Sequence, residues 1–476
     1  MQKTSKIFVI FSYLYLILPI LIFVITWCNP IFASLGFILI SFGAYFLYKN
    51  SAKLWIPSSK KEWLLLILGL ILALAWVCSS GIGALVFQNP DHDCRNFIFE
   101  TLVSNNWPVM LDYKDNHLML SYYIGFWLPS AFIAKIFGNN IQLGYYFQIL
   151  WATVGIFLVF YYLLSFFEKK NLLPIMIFIF FSGLDILGAK FVGYPTNSVS
   201  HLEWWYPEYQ FSSFTTQLYW VFNQAIPAWL IILMILKESN NKNILFIYST
   251  AFLSATLPAI GMFPIIVYCL FKNFSKENSF KFDVDYIVSF LKSCFSYQNV
   301  LCLFFIILMT FCYLTGNISG SQRAVSEFDI FEILKFLLYF LLLEVGVYML
   351  LIWKFNKKEP LFYIALFSFL IYPFIKIGTS NDFCMRATIP ALVVLFLLIV
   401  KTLFSDEILK YKKLCITLVI CLLFGAVTPI HEMTRTFIYT QLGMKKIKPT
   451  FSDAAMMNFF SYKDKNYFYK YFGRKS

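Results

Sequence analysis

In the stretch "VFQNPDHDCRNFIFETLVSNNWPV", residues 86–109, Asp91 and Asp93 flank His92 just past a long apolar run. A carboxylate at the lip of a hydrocarbon layer loses part of its hydration. Its basicity then rises, which suits it to take a proton from a hydroxyl. In an extended segment the i, i+2 spacing points both acids the same way, so one can act as base while the other orients it or holds a divalent cation such as Mg or Mn. His92 is a third proton-handling group in the same turn. The plainer account is a solvated acidic loop.

A second polar island is "IKIGTSNDFCMRATIP", residues 375–390. There Asn381 and Asp382 precede Arg386, whose planar guanidinium can hold a phosphate bidentately as a lysine cannot. An Arg–Asp pair closing a loop is the competing account. Arg323, Lys190 and Arg435 are further phosphate candidates, each also explicable alone as an interface anchor. In "SHLEWWYPEYQFSSFTTQLYW", residues 200–220, His201 and Glu203 could bond sugar hydroxyls while Trp204 and Trp205 stack on sugar rings. An aromatic belt at a membrane surface would look similar. Asp185 and Glu344 lie inside apolar runs, where an ionisable group costs a few kcal/mol unless it is paired or faces a wet cavity.

The elements that must position these groups are membrane helices. The chain has 476 residues, is 60% hydrophobic and only 13% charged, and has a mean hydropathy of +0.70. A bilayer core needs about 20 apolar residues per helical crossing. Such runs recur from end to end, so the fold class is all-α and polytopic. We place helices at residues 6–27, 30–48, 63–87, 141–166, 172–189, 218–236, 244–257, 260–272, 299–316, 330–353, 360–376, 388–404 and 412–430, about 13 crossings. The first run is read as a membrane helix, since no convincing cleavage site follows it.

The net charge of +13 comes from lysines gathered in alternate loops, which topology explains without nucleic acid. The positive-inside rule then puts the N-terminus and the lysine loops in the cytoplasm, and the chemistry-bearing loops outside. "LSYYIGFWLPSAFIAKIFG", residues 120–138, would invert every later loop if it crossed, so it is read as a juxtamembrane helix in the outer interface. All four histidines, His92, His117, His201 and His431, fall on the outer side. The ten cysteines form no CxxC pair and read as small core residues. Cys94 and Cys384, on the two key outer loops, are expected to be accessible, and their pairing stays open.

This order of parts resembles the GT-C class of integral-membrane glycosyltransferases, which includes protein mannosyltransferases and aminoarabinose transferases. An acidic pair follows an early helix. An outer loop and an interfacial helix ending "IFG" come next, and then many helices with outer-face loops. The likeness covers residues 63–430, behind two extra helices in residues 1–62 and ahead of an extracytoplasmic tail, 431–476. It implies that Asp91 or Asp93 is the general base and that the donor is a sugar on polyprenyl phosphate in the membrane lipid. It also implies that a basic residue near the second juxtamembrane helix meets the donor phosphate. That helix begins "NHLMLSYYIG" here, so His117 would stand in for it. The acceptor, whether glycan, lipid or protein, is left open. A lipid-linked sugar polymerase or ligase would lean instead on arginines and a histidine base. A transporter or flippase would lean on mid-membrane charges such as Glu344.

Overall fold

The structure is a computed structural model that describes residues 3–113, 116–207, 209–277, 283–316, 330–375, 382–444 and 458–475. It is mostly helical. Two apolar helices, α1 (Ile7–Trp27) and α2 (Pro30–Asn50), meet at a turn where Asn29 caps α2 by accepting from Phe32 N at 3.1 Å. In α3 (Lys60–Cys78), Ser59 accepts from Glu62 N and the Glu62 carboxylate reaches back to Ser58 N, two donors satisfied at one helix start. There follow α4 (His92–Ser104), α5 (Leu128–Ile136), α6 (Ile141–Ser165), α7 (Leu173–Phe180), α8 (Asp185–Val192) and α9 (Phe214–Lys237). The second half holds α10 (Asn241–Ser249), α11 (Thr256–Glu277), α12 (Val284–Cys294), α13 (Leu303–Leu314) and α14 (Ile330–Lys335). A stretch of wide π-type turns, Phe336–Gly346, leads into α15 (Val347–Asn356), α16 (Pro360–Ile371), α17 (Asp382–Ala387), α18 (Ile389–Leu403), α19 (Lys412–Gly425), α20 (Val427–Gln441) and α21 (Tyr467–Tyr471).

Among the described residues nine helices are long and apolar enough to cross a membrane, and the bent pair Val284–Cys294 and Gln298–Leu314 could supply a tenth. This agrees with an all-α membrane protein and does not confirm the expected thirteen crossings. Pro360–Phe374 and Ile389–Leu403 are helical but short, and α10 has only nine residues. Apolar composition is what the sequence reports, and buried helices in a protein core share it with true crossings. The run expected over 172–189 is interrupted at 181–184 between α7 and α8 but counts, as Leu173–Val192, among the nine, and that over 63–87 ends at Cys78. Of the segment 120–138, expected as a juxtamembrane helix, Leu120 ends β4, residues 121–127 are irregular and only α5, nine residues, is helical; it is too short to cross, in keeping with the expectation.

Burial ranks the helices. The apolar window of α9 is 100% enclosed, whereas that of α2 is 22% enclosed and leaves its apolar surface for lipid. Two sets of loops separate. The lysine-bearing set is joined by the pairing of β1 (Thr4–Ser5) with β2 (Leu54–Trp55), by Lys6 Nζ on Tyr48 O at 2.7 Å and by Lys237 Nζ on Ser165 O at 2.8 Å. In the other set β3 (Met110–Tyr113) and β4 (Asn116–Leu120) form a hairpin. The tail strand β5 (Phe460–Tyr462) pairs with β4, and Asn29 N bonds Phe472 O at 2.8 Å. The tail is thus tied to the helical body.

Candidate functional site

The central helix α9 is irregular. Val221 has φ −131° and ψ 33°, and Pro227 follows within the helix. A kink of this kind frees backbone carbonyls that must find other donors. The Tyr219 carbonyl takes Asn89 Nδ2 at 2.6 Å and His92 Nε2 at 3.0 Å. Gln88 Nε2 meets His92 Nδ1 at 3.2 Å. The first polar island is therefore anchored on α9 through its histidine. His92 is buried, and burial together with the nearby Arg95 charge lowers its pKa to about 3, so it is neutral. Its ring serves to hold the loop, not to carry protons at neutral pH.

The expected extended segment is absent. Asp91 sits at the start of α4 and Asp93 lies in its first turn, so the two side chains diverge. Asp91 instead pairs with Arg95 one turn on. Arg95 Nη2 meets Asp91 Oδ2 at 2.9 Å, and Nη1 donates to the Asp91 carbonyl at 2.8 Å. Arg95 is buried while the Asp91 side chain is 40% exposed.

The second island builds the same device. Arg386 Nη1 meets Asp382 Oδ2 at 3.1 Å, again at i, i+4, with the arginine buried and the acid 45% exposed. Close packing of α17 on α11 sets this position: a Cβ on Gly261 would lie 1.9 Å from the Ala387 carbonyl, so only glycine fits. Arg386 Nη1 also donates a hydrogen bond to Tyr123 Oη at 3.1 Å, and Tyr122 Oη donates to Tyr123 Oη at 2.6 Å. Burial works against the Arg386 charge, and Asp382, the two tyrosines and Asp91 outweigh it. Tyr122 and Tyr123 in turn feel both Arg386 and Arg95. The two islands thus form one electrostatic cluster. Nε of Arg95 and Nε of Arg386 are buried and have no acceptor among the described residues. Burial also pushes the Tyr123 hydroxyl up from its usual range, the Arg386 charge notwithstanding, so it stays protonated and can donate.

A second cluster lies between α8, the 200–213 loop, α9 and α20. Glu432 accepts from Arg435 Nη2 at 2.6 Å and from Trp220 Nε1 at 2.8 Å, and its other oxygen meets His201 Nδ1 at 3.1 Å. The Glu203 carboxylate takes Ser213 N and Gln210 Nε2, both at 2.8 Å, with His201 Nε2 at 4.0 Å. Asp185 accepts from Ser182 at 2.7 Å and Thr428 at 2.9 Å, while Glu344 accepts from Trp205 Nε1 at 2.9 Å. All four carboxylates are buried. Burial, then the Asp185 charge, pushes Glu203 above the usual carboxylate range, against the pull of His201.

The remaining candidates scatter. His117 pairs with Asp112 across the hairpin with both side chains exposed, and it stands in a strand where a helix was expected. Lys190 is exposed in the last turn of α8, and Trp204 is half exposed beside His201 and Trp220. Arg323 and Asn381 lie outside the described residues. Cys94 and Cys384 are both free thiols, but Cys384 is buried, which overturns its expected accessibility. Among the described residues no group of three or more His, Cys, Asp or Glu could hold a metal. Of the two roles open to the second acid, holding a divalent cation finds no further ligands at Asp91 and Asp93 among the described residues.

Sequence reasoning did not assign Arg95, Tyr122 or Tyr123 to the site. The signal was present: "DHDCR" and "DFCMR" both space an aspartate and an arginine four apart, one helical turn. It also passed over Asn223 and Gln224 on α9, whose buried amides have no hydrogen-bond partner among the described residues. Compared with models of protein families, with curated proteins and with solved structures, the chain matches none.

Proposed function

We propose that the chain is a membrane glycosyltransferase of the GT-C kind, moving a sugar from a polyprenyl-phosphate donor to an acceptor hydroxyl. The observation that carries this reading is one cluster holding a half-exposed carboxylate, Asp91, with two buried arginines whose Nε–H groups lack acceptors. Arg95 occupies Asp91 Oδ2, so Oδ1 is the oxygen open to an acceptor. The acceptor O–H gives its proton to Asp91 as its oxygen bonds the anomeric carbon. The bond from that carbon to the phosphate oxygen breaks through an oxocarbenium-like state. Polyprenyl phosphate leaves with the electron pair, its growing charge met by Arg386 and Arg95, with the Tyr123 hydroxyl as a further donor. The lipid tail would lie between helices, which gives such an enzyme its need for many crossings.

In this reading the protein is multi-pass in a bacterial plasma or inner membrane, with its N-terminus and lysine loops cytoplasmic and the Asp91 cluster extracytoplasmic. Of the histidines a rival polymerase or ligase would use as base, His201 is buried in a hydrogen-bonded network, while His431 is more open with Nε2 on Asn197 O; greater loss in a His431 variant than in Asp91→Asn would favour that rival. The test is sugar transfer by the purified protein from a panel of labelled polyprenyl-phosphate sugars, run with wild type, Asp91→Asn and Asp93→Asn. Collapse in Asp91→Asn with folding intact supports the base. Full activity there, with loss in Glu344→Gln, would favour a transporter instead. Labelling of Cys94 in intact cells by an impermeant maleimide tests the orientation, whereas Cys384 is too enclosed to report it.

A further inference from the structure

At the lysine-rich end a cavity of about 160 Å³ opens between α9, α11, α16 and α18. That is roughly ten times the 10–15 Å³ needed by a single water, so a group of several heavy atoms fits. Four lysines line it: Lys237 at the end of α9, Lys272 and Lys276 on α11, and Lys401 in the last turn of α18. Lys237 is near enough to Lys401 for the two charges to repel. None of the four makes an ion pair among the described residues.

Two acids also line the cavity, and both are used elsewhere. The Glu238 carboxylate accepts from Asn240 N at 2.9 Å, Asn243 Nδ2 at 3.1 Å and Tyr13 Oη at 3.4 Å, all on other elements. Glu359 accepts from Tyr268 Oη at 3.3 Å. The inner wall is apolar, with Val394, Leu397 and Leu398 of α18. A lysine in a last helical turn also complements the helix dipole, which accounts for each lysine singly. It does not account for four lysines lining one cavity against two carboxylates, with no ion pair between them among the described residues. Basic pockets between membrane helices at this level are where anionic headgroups bind.

We propose that this cavity binds a phosphate group, supplied by an anionic phospholipid whose headgroup meets the lysines while its glycerol and first methylenes lie on α18. The site is separate from the Asp91 cluster and does not depend on the glycosyltransferase reading. The test uses the full chain in detergent and native mass spectrometry with phosphatidylglycerol, phosphatidylcholine or inorganic phosphate. Retention of phosphatidylglycerol over phosphatidylcholine is expected. The double variant Lys272→Gln/Lys401→Gln should weaken it roughly thirtyfold, at about 1 kcal/mol per lysine lost. Lys272→Arg/Lys401→Arg keeps the charge and should retain the lipid, which separates charge loss from misfolding. Tight binding of inorganic phosphate with no preference for phosphatidylglycerol keeps the phosphate site and moves its source to solution. Equal retention of both lipids with no phosphate binding, or a double glutamine variant that binds as wild type, overturns the proposal.

Discussion

The Asp91–Arg95–Asp382–Arg386 cluster and the Glu432–Arg435–His201–Glu203 cluster both set buried arginine against carboxylates and differ in what the fold leaves open. In the first, both arginines are buried and both aspartates are near half exposed. In the second, the side chains of Arg435, Glu432, His201 and Glu203 are all at 8% exposure or less. Glu432 has both oxygens committed to donors from three elements. A ligand phosphate could enter the first cluster by replacing a solvent-facing carboxylate contact. Arg435 Nε also lacks an acceptor among the described residues, but to enter the second cluster a phosphate would have to break contacts among wholly buried side chains, where a lost partner leaves a charge uncompensated. Exposure of the acid, more than the presence of the arginine, separates a site from a strut.

Substitutions can break or sharpen that contrast. The largest effect is expected for Asp91→Asn, which should cut sugar transfer by roughly 10²–10⁴-fold while the melting temperature stays near wild type. Glu432→Ala should do the reverse. Stranding Arg435 and His201 costs about 3–5 kcal/mol, read as a large drop in thermal stability in detergent, with surviving folded protein still active. Should Glu432→Ala be stable but inactive, the two clusters would have to exchange roles. Arg386→Lys keeps the charge but loses the planar fork, and a loss of roughly 10²–10³-fold in turnover is expected with folding intact.

A pH series separates the clusters further. His92 is neutral in the fold with a pKa of about 3, against 6.5 when unfolded. The unfolded chain therefore binds the extra proton first, and stability should fall as pH drops from about 6.5 toward 3, by at most about 1.4 kcal/mol per unit. Glu203, whose pKa is raised, works the other way. The folded form holds the proton longer, so its contribution is present below about 4.5 and is lost as pH rises toward the folded value. Melting curves of His92→Gln and Glu203→Gln across pH should each flatten one limb. The smallest effect is expected for Lys190→Ala, within about 0.5 kcal/mol of wild type and with transfer unchanged. A strong activity loss there would mean that the phosphate is bound nearer α8 than the Arg95–Arg386 pair.

Much of the first cluster could be read from residue types. Asp91 and Arg386 stood out as polar groups beside long apolar runs, and the structure brings their charges into one field. Arg95 was hidden because Asp91 and Asp93 were read as an extended pair. Once α4 begins at His92, the partner of Asp91 is the residue one turn ahead. His92 looked catalytic because sequence shows a neighbour in the chain and not a carbonyl 127 residues away on a kinked helix. The pairing of Arg386 with Tyr123 spans 263 residues, and no local spacing encodes it.

The sequence by itself determined what each segment can do in a membrane, because transfer of apolar runs and exclusion of lysines are properties summed residue by residue. It therefore reported long apolar helices, lysines gathered in one set of loops, and polar islands around Asp91 and Arg386. Tertiary structure decided which of the apolar runs were long enough to span, and which charged groups kept a face to water. Those outcomes depend on desolvation and on donors from distant elements, and only the folded packing brings these together.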